Sequence, residues 1–192
     1  MNQKLLEFFH ALDRSYFIDN EMKSLAEVDS ALPIGYGQTI SQPSLVLYMT
    51  EVLALNKSCN VLEIGTGSGY QSVFLAEFGG TVYTVERITE LSLSAQDRLK
   101  NLGYNNIHYR IGDGSTGWKE HAPYHRIIIT AAPTHKPDDI VAQLAPEGIM
   151  LLPVGPSGHQ YLKKLTRDKA STIHEETLLP VAFVELVGKY SR

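Results

Sequence analysis

Nine residues fix most of what this chain can become. Val61-Leu62-Glu63-Ile64 is a short, mostly apolar run that passes directly into Gly65-Thr66-Gly67-Ser68-Gly69, three glycines spaced two apart. Four residues are too few for a helix, and a short apolar run ended by glycine reads as a buried strand. The glycines allow a tight turn, and a helical stretch follows from residue 69 to 78. Strand, glycine turn and helix in succession predict a βαβ unit, and with it a parallel sheet covered by helices.

The same rhythm continues. Residues 81–85, 107–111, 126–130 and 148–153 read as strands, and 88–102 as a helix closed by Gly103; a shorter helix is expected over 138–144. Residues 160–167 and 177–187 then read as two strands with no helix between them, which closes the sheet with an antiparallel edge. The expectation is an α/β, three-layer, Rossmann-like doubly wound fold. Its sheet is mostly parallel, of about seven strands, with an antiparallel C-terminal edge. Residues 1–192 are expected to form one domain. Residues 1–41 form a helical and irregular extension at its front, with Leu5, Leu6, Phe9 and Leu12 at helical spacing. Ser41-Gln42-Pro43 reads as a helix start, with serine as the N-cap and proline in the first turn.

Composition narrows the function classes. The chain has 192 residues with 17 Lys and Arg against 21 Asp and Glu, a net charge of -4, which disfavours nucleic acid as a partner. Its one cysteine excludes an internal disulfide and fits a reducing compartment. Lys4 and Glu7 interrupt the first residues, so no signal peptide is expected, and no run approaches about 18 apolar residues, so no membrane span is expected. A cytoplasmic location follows.

The glycine turn by itself fits nicotinamide, flavin or S-adenosylmethionine enzymes. Its Gly-x-Gly-x-Gly spacing departs from the Gly-x-Gly-x-x-Gly of dinucleotide binders. Glu63, two residues before the first glycine, would repel a pyrophosphate but suits a cation such as the ammonium of S-adenosylmethionine. Glu86 ends the second strand, where an acid accepts both hydroxyls of a ribose. Gly112-Asp113-Gly114 follows the third strand, where the base of a cofactor would lie. All of these fall at the C-terminal ends of parallel strands, the ligand-binding end of such sheets.

Several further segments fit one family. Thr39-Ile40-Ser41-Gln42-Pro43, the run Val61 through Gln71, Val85-Glu86-Arg87, Gly112-Asp113-Gly114, Thr130-Ala131-Ala132-Pro133 and Leu152-Pro153-Val154-Gly155 together resemble the protein-L-isoaspartate O-methyltransferases. The resemblance runs from about residue 13 to 188. It implies methyl transfer from S-adenosylmethionine to the free carboxylate of L-isoaspartyl residues in damaged proteins or peptides, leaving S-adenosylhomocysteine. The methyl ester then collapses to a succinimide. It also implies that Ser41 orients the carboxylate in catalysis. Glu63, Gly65, Thr66, Gly67, Gly69, Glu86, Gly112, Asp113 and Gly114 would bind the cofactor, and Thr39, Ile40, Thr130, Ala131 and Val154 would line the substrate side. No metal is expected, and a monomer is assumed. The rival readings are a methyltransferase of the same fold acting on another carboxylate, and a non-catalytic S-adenosylmethionine-binding protein. A nicotinamide oxidoreductase is further off.

The chain departs from the family pattern in a short segment before Asp13, in His125-Arg126, and at Glu185, where Phe-Val-Pro-Leu is usual. Three features read as incidental. His121 and His125 flank Pro123, which breaks the helix that would align them on a metal. Lys163, Lys164, Arg167 and Lys169 read as a protected sheet edge. Cys59 reads as packing beside the first strand.

Overall fold

The computed structural model describes residues 2–190. Asn2 caps α1 (Gln3–Ala11) through the backbone N–H groups of Lys4 and Leu5. Two short 3-10 turns follow, and then an antiparallel hairpin of β1 (Leu32–Gly35) and β2 (Gln38–Ile40). The hairpin gives order to a stretch that reads from sequence as irregular. Next come α2 (Pro43–Leu53), β3 (Asn60–Ile64), α3 (Tyr70–Phe78), β4 (Thr81–Glu86), α4 (Thr89–Asn101), β5 (Ile107–Ile111) and β6 (Tyr124–Ile129). The chain ends with α5 (Asp138–Val141), β7 (Leu144–Val154), β8 (Gln160–Arg167) and β9 (Ile173–Val181).

The main sheet has seven strands in the order β5-β4-β3-β6-β7-β8-β9. The first five are parallel, and β8 and β9 return antiparallel, as the sequence predicts. The order reverses at β3, with β4 on one side and β6 on the other, so a crevice opens at the carboxyl end of β3.

Alternation along the strands assigns the two faces. Val61, Ile128 and Leu151 pack with Met49 and Leu53 of α2 and with Leu75 and Ala76 of α3. Leu62, Ile64, Ile127 and Ile129 face the other way, onto Ile140 and Val141 of α5 and onto Leu186. The helical layers are therefore unequal. One face carries α2, α3 and α4, and the other carries one turn of helix together with Trp118 and the C-terminal segment. α3 is buried continuously from Tyr70 to Ala76, because α1, α2 and α4 surround the side turned away from the sheet. Its lack of a polar face, unusual for a surface helix, follows from that enclosure.

Several boundaries differ from expectation for identifiable reasons. α2 begins at Pro43 after Gln42, and no side chain of its own flank caps it; Ser41 is not the N-cap. The cap comes from elsewhere, since the Asp29 carboxylate accepts from the Ser44 backbone N–H at 2.9 Å and from Gln42 Nε2 at 3.0 Å. α5 stops at Val141, and Leu144 already belongs to β7. The last strand runs Ile173–Val181 rather than to 187, and Glu185 instead makes a lone parallel bridge to Ala132. β8 lies inside the sheet, so its lysines guard no edge; Lys163 donates to Thr177 and lies 3.2 Å from Glu175.

At the end far from the crevice, Arg126 ties the sheet to α2 and His125 ties β6 to β3. Arg126 donates to the Leu53 and Ala54 carbonyls, and the His125 ring accepts from the Asn60 N–H at 3.0 Å. His121 stacks on Tyr83 with ring centroids 4.4 Å apart. Cys59 is buried beside Val61 and Val82. Among the described residues no helix is long and apolar enough to cross a membrane.

Candidate active site

The turn after β3 is fastened on both sides. The Gly65 N–H donates to the Val85 carbonyl at 2.8 Å, and the Thr130 N–H to the Ile64 carbonyl at 2.9 Å. The Thr130 hydroxyl donates to the Gly65 carbonyl at 2.7 Å and occupies the space a Cβ on Gly65 would need. With φ at +98°, residue 65 is closed to L side chains on both counts. Gly67 N–H donates to one oxygen of Glu86 at 2.9 Å, and Ile88 N–H to the other at 2.9 Å. Each carboxylate oxygen accepts one further hydrogen bond at least. Glu86 thus has capacity left for a vicinal diol. The backbone N–H groups of Thr66 and Ser68 have no partner among the described residues.

Behind the turn lies a fully buried acid. Glu63 is 0% exposed, and one carboxylate oxygen accepts from Ser72 Oγ at 2.5 Å and from Thr84 Oγ1 at 2.6 Å. Thr84 in turn shares a 2.6 Å hydrogen bond with the Thr66 hydroxyl, which lines the cleft. With its own proton committed to Glu63, Thr84 is the acceptor in that pair. The other Glu63 oxygen, Oε1, is buried without a partner. Burial pushes this carboxyl up to about 7, against the pull of the two hydroxyls, and Glu86 adds to the rise. Glu63 does not line the cleft, so it meets a ligand only through Thr84 and Thr66. The expectation of direct contact is corrected accordingly.

The crevice is a cleft of about 770 Å³ including its open mouth, in the size range of small-molecule sites. It brings together Thr39, Ile40 and Ser41 from the end of β2, Gly65, Thr66 and Gly67 from the turn, Glu86, Gly114, and Thr130 and Ala131. These are the sequence-predicted residues it unites. Besides Glu63, four others fall outside it. Gly69 precedes α3 at φ +86° and lets that helix approach Leu99 and Ala95, where a Cβ would sit 3.1 Å from the Leu99 side chain. Asp113 turns its carboxylate onto the Ser115 N–H (2.8 Å) and hydroxyl (3.0 Å). Gly112, half-buried at φ +146°, donates its N–H to the Glu86 carbonyl at 2.9 Å. Val154 is half-buried and packs against the core on the α5 face.

Ser41 sits half-buried where this cleft meets a second, wider groove. That groove is lined by Tyr48 and Leu45 of α2, by Pro180 of β9 and by Phe183 just after it. The Ser41 hydroxyl has no partner among the described residues, so it is free for a ligand. Its backbone is held instead. Arg14, 4% exposed, donates to the carbonyls of Ala26 (2.9 Å), Val28 (3.0 Å), Ser30 (2.8 Å) and Ser41 (3.1 Å). Arg98 does the same for the turn, donating to the Ser68 carbonyl and to Asp19, both at 2.7 Å. Neither arginine is evident as a site residue from sequence, because each acts on distant backbone. The segment Val184–Val187 also lines the cleft, where the sequence suggests only a strand. Its sole hint was the departure at Glu185.

The charged groups on the cleft wall are Glu86, Arg87 and Glu185. With Glu63 behind, the site suits a cationic, diol-bearing ligand, and free N–H groups at the turn can take a carboxylate. S-adenosylmethionine has all three features.

Comparison with known proteins agrees with this chemistry. The chain matches the sequence pattern of the Protein-L-isoaspartate(D-aspartate) O-methyltransferase family over residues 1–191. A protein-L-isoaspartate O-methyltransferase of Dictyoglomus thermophilum is 49% identical over 189 residues, covering 98% of this chain and 86% of that protein. One from Picosynechococcus is 46% identical over 184 residues, covering 96% and 82%. Among solved structures, a protein-L-isoaspartate O-methyltransferase superposes with a TM-score of 0.88 at 25% identity over 99% of this chain, which spans 63% of that longer chain. A Plasmodium falciparum protein of that description, crystallised with S-adenosyl-L-homocysteine, shares the fold with a TM-score of 0.83 at 22% identity, covering 97% and 91%.

Proposed function

The chain belongs to the protein-L-isoaspartate(D-aspartate) O-methyltransferase family, and on that premise we infer that its cleft methylates the free α-carboxylate of L-isoaspartyl residues in damaged proteins and peptides. S-adenosylmethionine supplies an electrophilic methyl group and leaves as neutral S-adenosylhomocysteine. The ester product then closes to a succinimide without further help from the protein.

The acceptor is a carboxylate, ionised near neutral pH with a pKa of about 4, so the protein needs no general base. Its work is to hold two reactants in line and keep water out. Glu86 carries the ribose, and Gly65, Thr66 and Gly67 let the cofactor lie against the turn. Thr39, Ile40, Thr130 and Ala131 form the walls near the acceptor. Ser41 donates its hydroxyl proton to the substrate carboxylate and so fixes the attacking oxygen. The single observation that carries this reading is that free hydroxyl, half-buried at the junction of cleft and groove, with Arg14 clamping the backbone beneath it. Residues 1–41 serve as a substrate-side extension, supported by the position of Thr39 and Ser41 on the groove. The net charge of -4 and the unpaired cysteine support a cytoplasmic protein acting without nucleic acid.

The Ser41→Ala variant tests the assignment. Turnover on an isoaspartyl peptide falls by ten- to a hundredfold, the range for one hydrogen bond to a charged group, while affinity for S-adenosylmethionine is nearly unchanged. A loss of cofactor affinity with unaltered turnover would place Ser41 on the cofactor side and refute its role.

A further inference from the structure

Glu185 is a carboxylate on the cleft wall with no intramolecular use. The segment around it is pinned to Ala132, whose N–H donates to the Val184 carbonyl at 2.7 Å and whose carbonyl accepts from Leu186 N–H at 2.9 Å. Extended residues alternate sides, and Leu186 is buried in the core at 5% exposure. Glu185 therefore projects away from the core, and it is exposed on the cleft that also holds Ser41, Thr39 and Thr130. Among the described residues no lysine, arginine or hydrogen-bond donor meets its carboxylate. Of the other charged cleft residues, Glu86 already holds two backbone N–H groups, and Arg87 follows it at the end of β4.

An anionic wall is an odd partner for an anionic acceptor. A substrate that brings its own positive charge resolves the conflict, because that charge is attracted to Glu185 and offsets its repulsion of the reacting carboxylate. We propose that Glu185 is a specificity-determining residue that favours isoaspartyl sites flanked by lysine or arginine and disfavours those flanked by acids. The inference rests on the isoaspartyl methyltransferase reading given above. Exposed charge pairs of this kind change rates by about two- to fivefold and weaken with salt.

Three peptides test it, each with one isoaspartyl residue flanked on both sides by lysine, by serine or by glutamate. At low salt, kcat/KM follows the order lysine, serine, glutamate, with lysine over serine by about two- to fivefold. The order flattens when salt is raised, and it flattens at low salt in Glu185→Gln, an exposed and isosteric change. Equal rates in the unmodified protein would overturn the proposal. So would an order that persists in Glu185→Gln, since another group would then be reading the charge. A Glu185→Gln effect on the KM for S-adenosylmethionine without any change in the peptide order would also overturn it. If no isoaspartyl peptide is methylated, the parent reading has failed, and that result is distinct from equal methylation of all three.

Discussion

Glu63 makes stability fall as the solution becomes more alkaline, and the Glu63→Gln variant removes that dependence. The carboxyl is buried, with one oxygen bound by Ser72 and Thr84 and the other unpartnered, and its pKa is pushed up to about 7 from an ordinary 4.5. Between those values the folded protein holds a proton that the unfolded chain has released. Stability therefore declines as pH rises through that window. At about 1.4 kcal/mol for each pH unit between the two values, the decline from about pH 5 to about pH 8 is about 2.5 kcal/mol. Glutamine keeps an oxygen to accept from Ser72 and Thr84 and carries no charge to bury. The assay is urea unfolding of both proteins at the two pH values, followed by the fluorescence of Trp118, the one tryptophan. Subtracting one protein from the other cancels Asp29, Asp139 and Asp168, whose carboxyls are held below the usual range by hydrogen bonds and so titrate in more acid solution. The gap moves about 2.5 kcal/mol in favour of the glutamine variant on going to about pH 8. A gap that stays constant, or that moves the other way, would refute the burial of an unpaired carboxyl behind the glycine turn.

Two further changes separate the roles of neighbouring groups. Arg14→Ala leaves four carbonyls without their shared donor and costs about 3–5 kcal/mol in urea unfolding; at a temperature where the variant is folded, KM for the peptide rises more than KM for S-adenosylmethionine, and equal changes would contradict a clamp on Ser41. Glu86→Ala removes the acceptor assigned to the ribose, so affinity for S-adenosylmethionine measured by calorimetry weakens by about tenfold or more, and an unchanged affinity would end that assignment.

The sheet and the ligand end of the cleft are legible in the sequence because both depend on local signals. Val61 to Gly69 specifies strand, turn and helix within nine residues, and the apolar runs of β4, β6 and β7 mark buried strands by composition alone. The antiparallel return is likewise legible from two strands with no helix between them. What escapes is what depends on distant partners. Ser41 resembles an N-cap because serine before proline usually is one, yet Asp29, thirteen residues before Gln42, supplies the cap and leaves the serine free. Arg14 and Arg98 carry no local signal of a site role, because their partners are carbonyls and a carboxylate distant in sequence. Glu63 and Asp113 occupy the spacing of ligand residues, but hydroxyls on Ser72, Thr84 and Ser115 take their carboxylates. Glu185 sits in a segment that continues the apolar alternation of a strand, and only its bridge to Ala132 brings it onto the cleft.

The most direct test of the central claim is methyl transfer to two peptides of identical composition, one with an L-isoaspartyl residue and one with L-aspartyl at the same position. With labelled S-adenosylmethionine, the isoaspartyl peptide acquires a base-labile methyl ester, and over time part of it passes through succinimide to the normal aspartyl peptide, while the aspartyl peptide remains unlabelled. Equal labelling of the two peptides, or a base-stable label on either, would contradict the account.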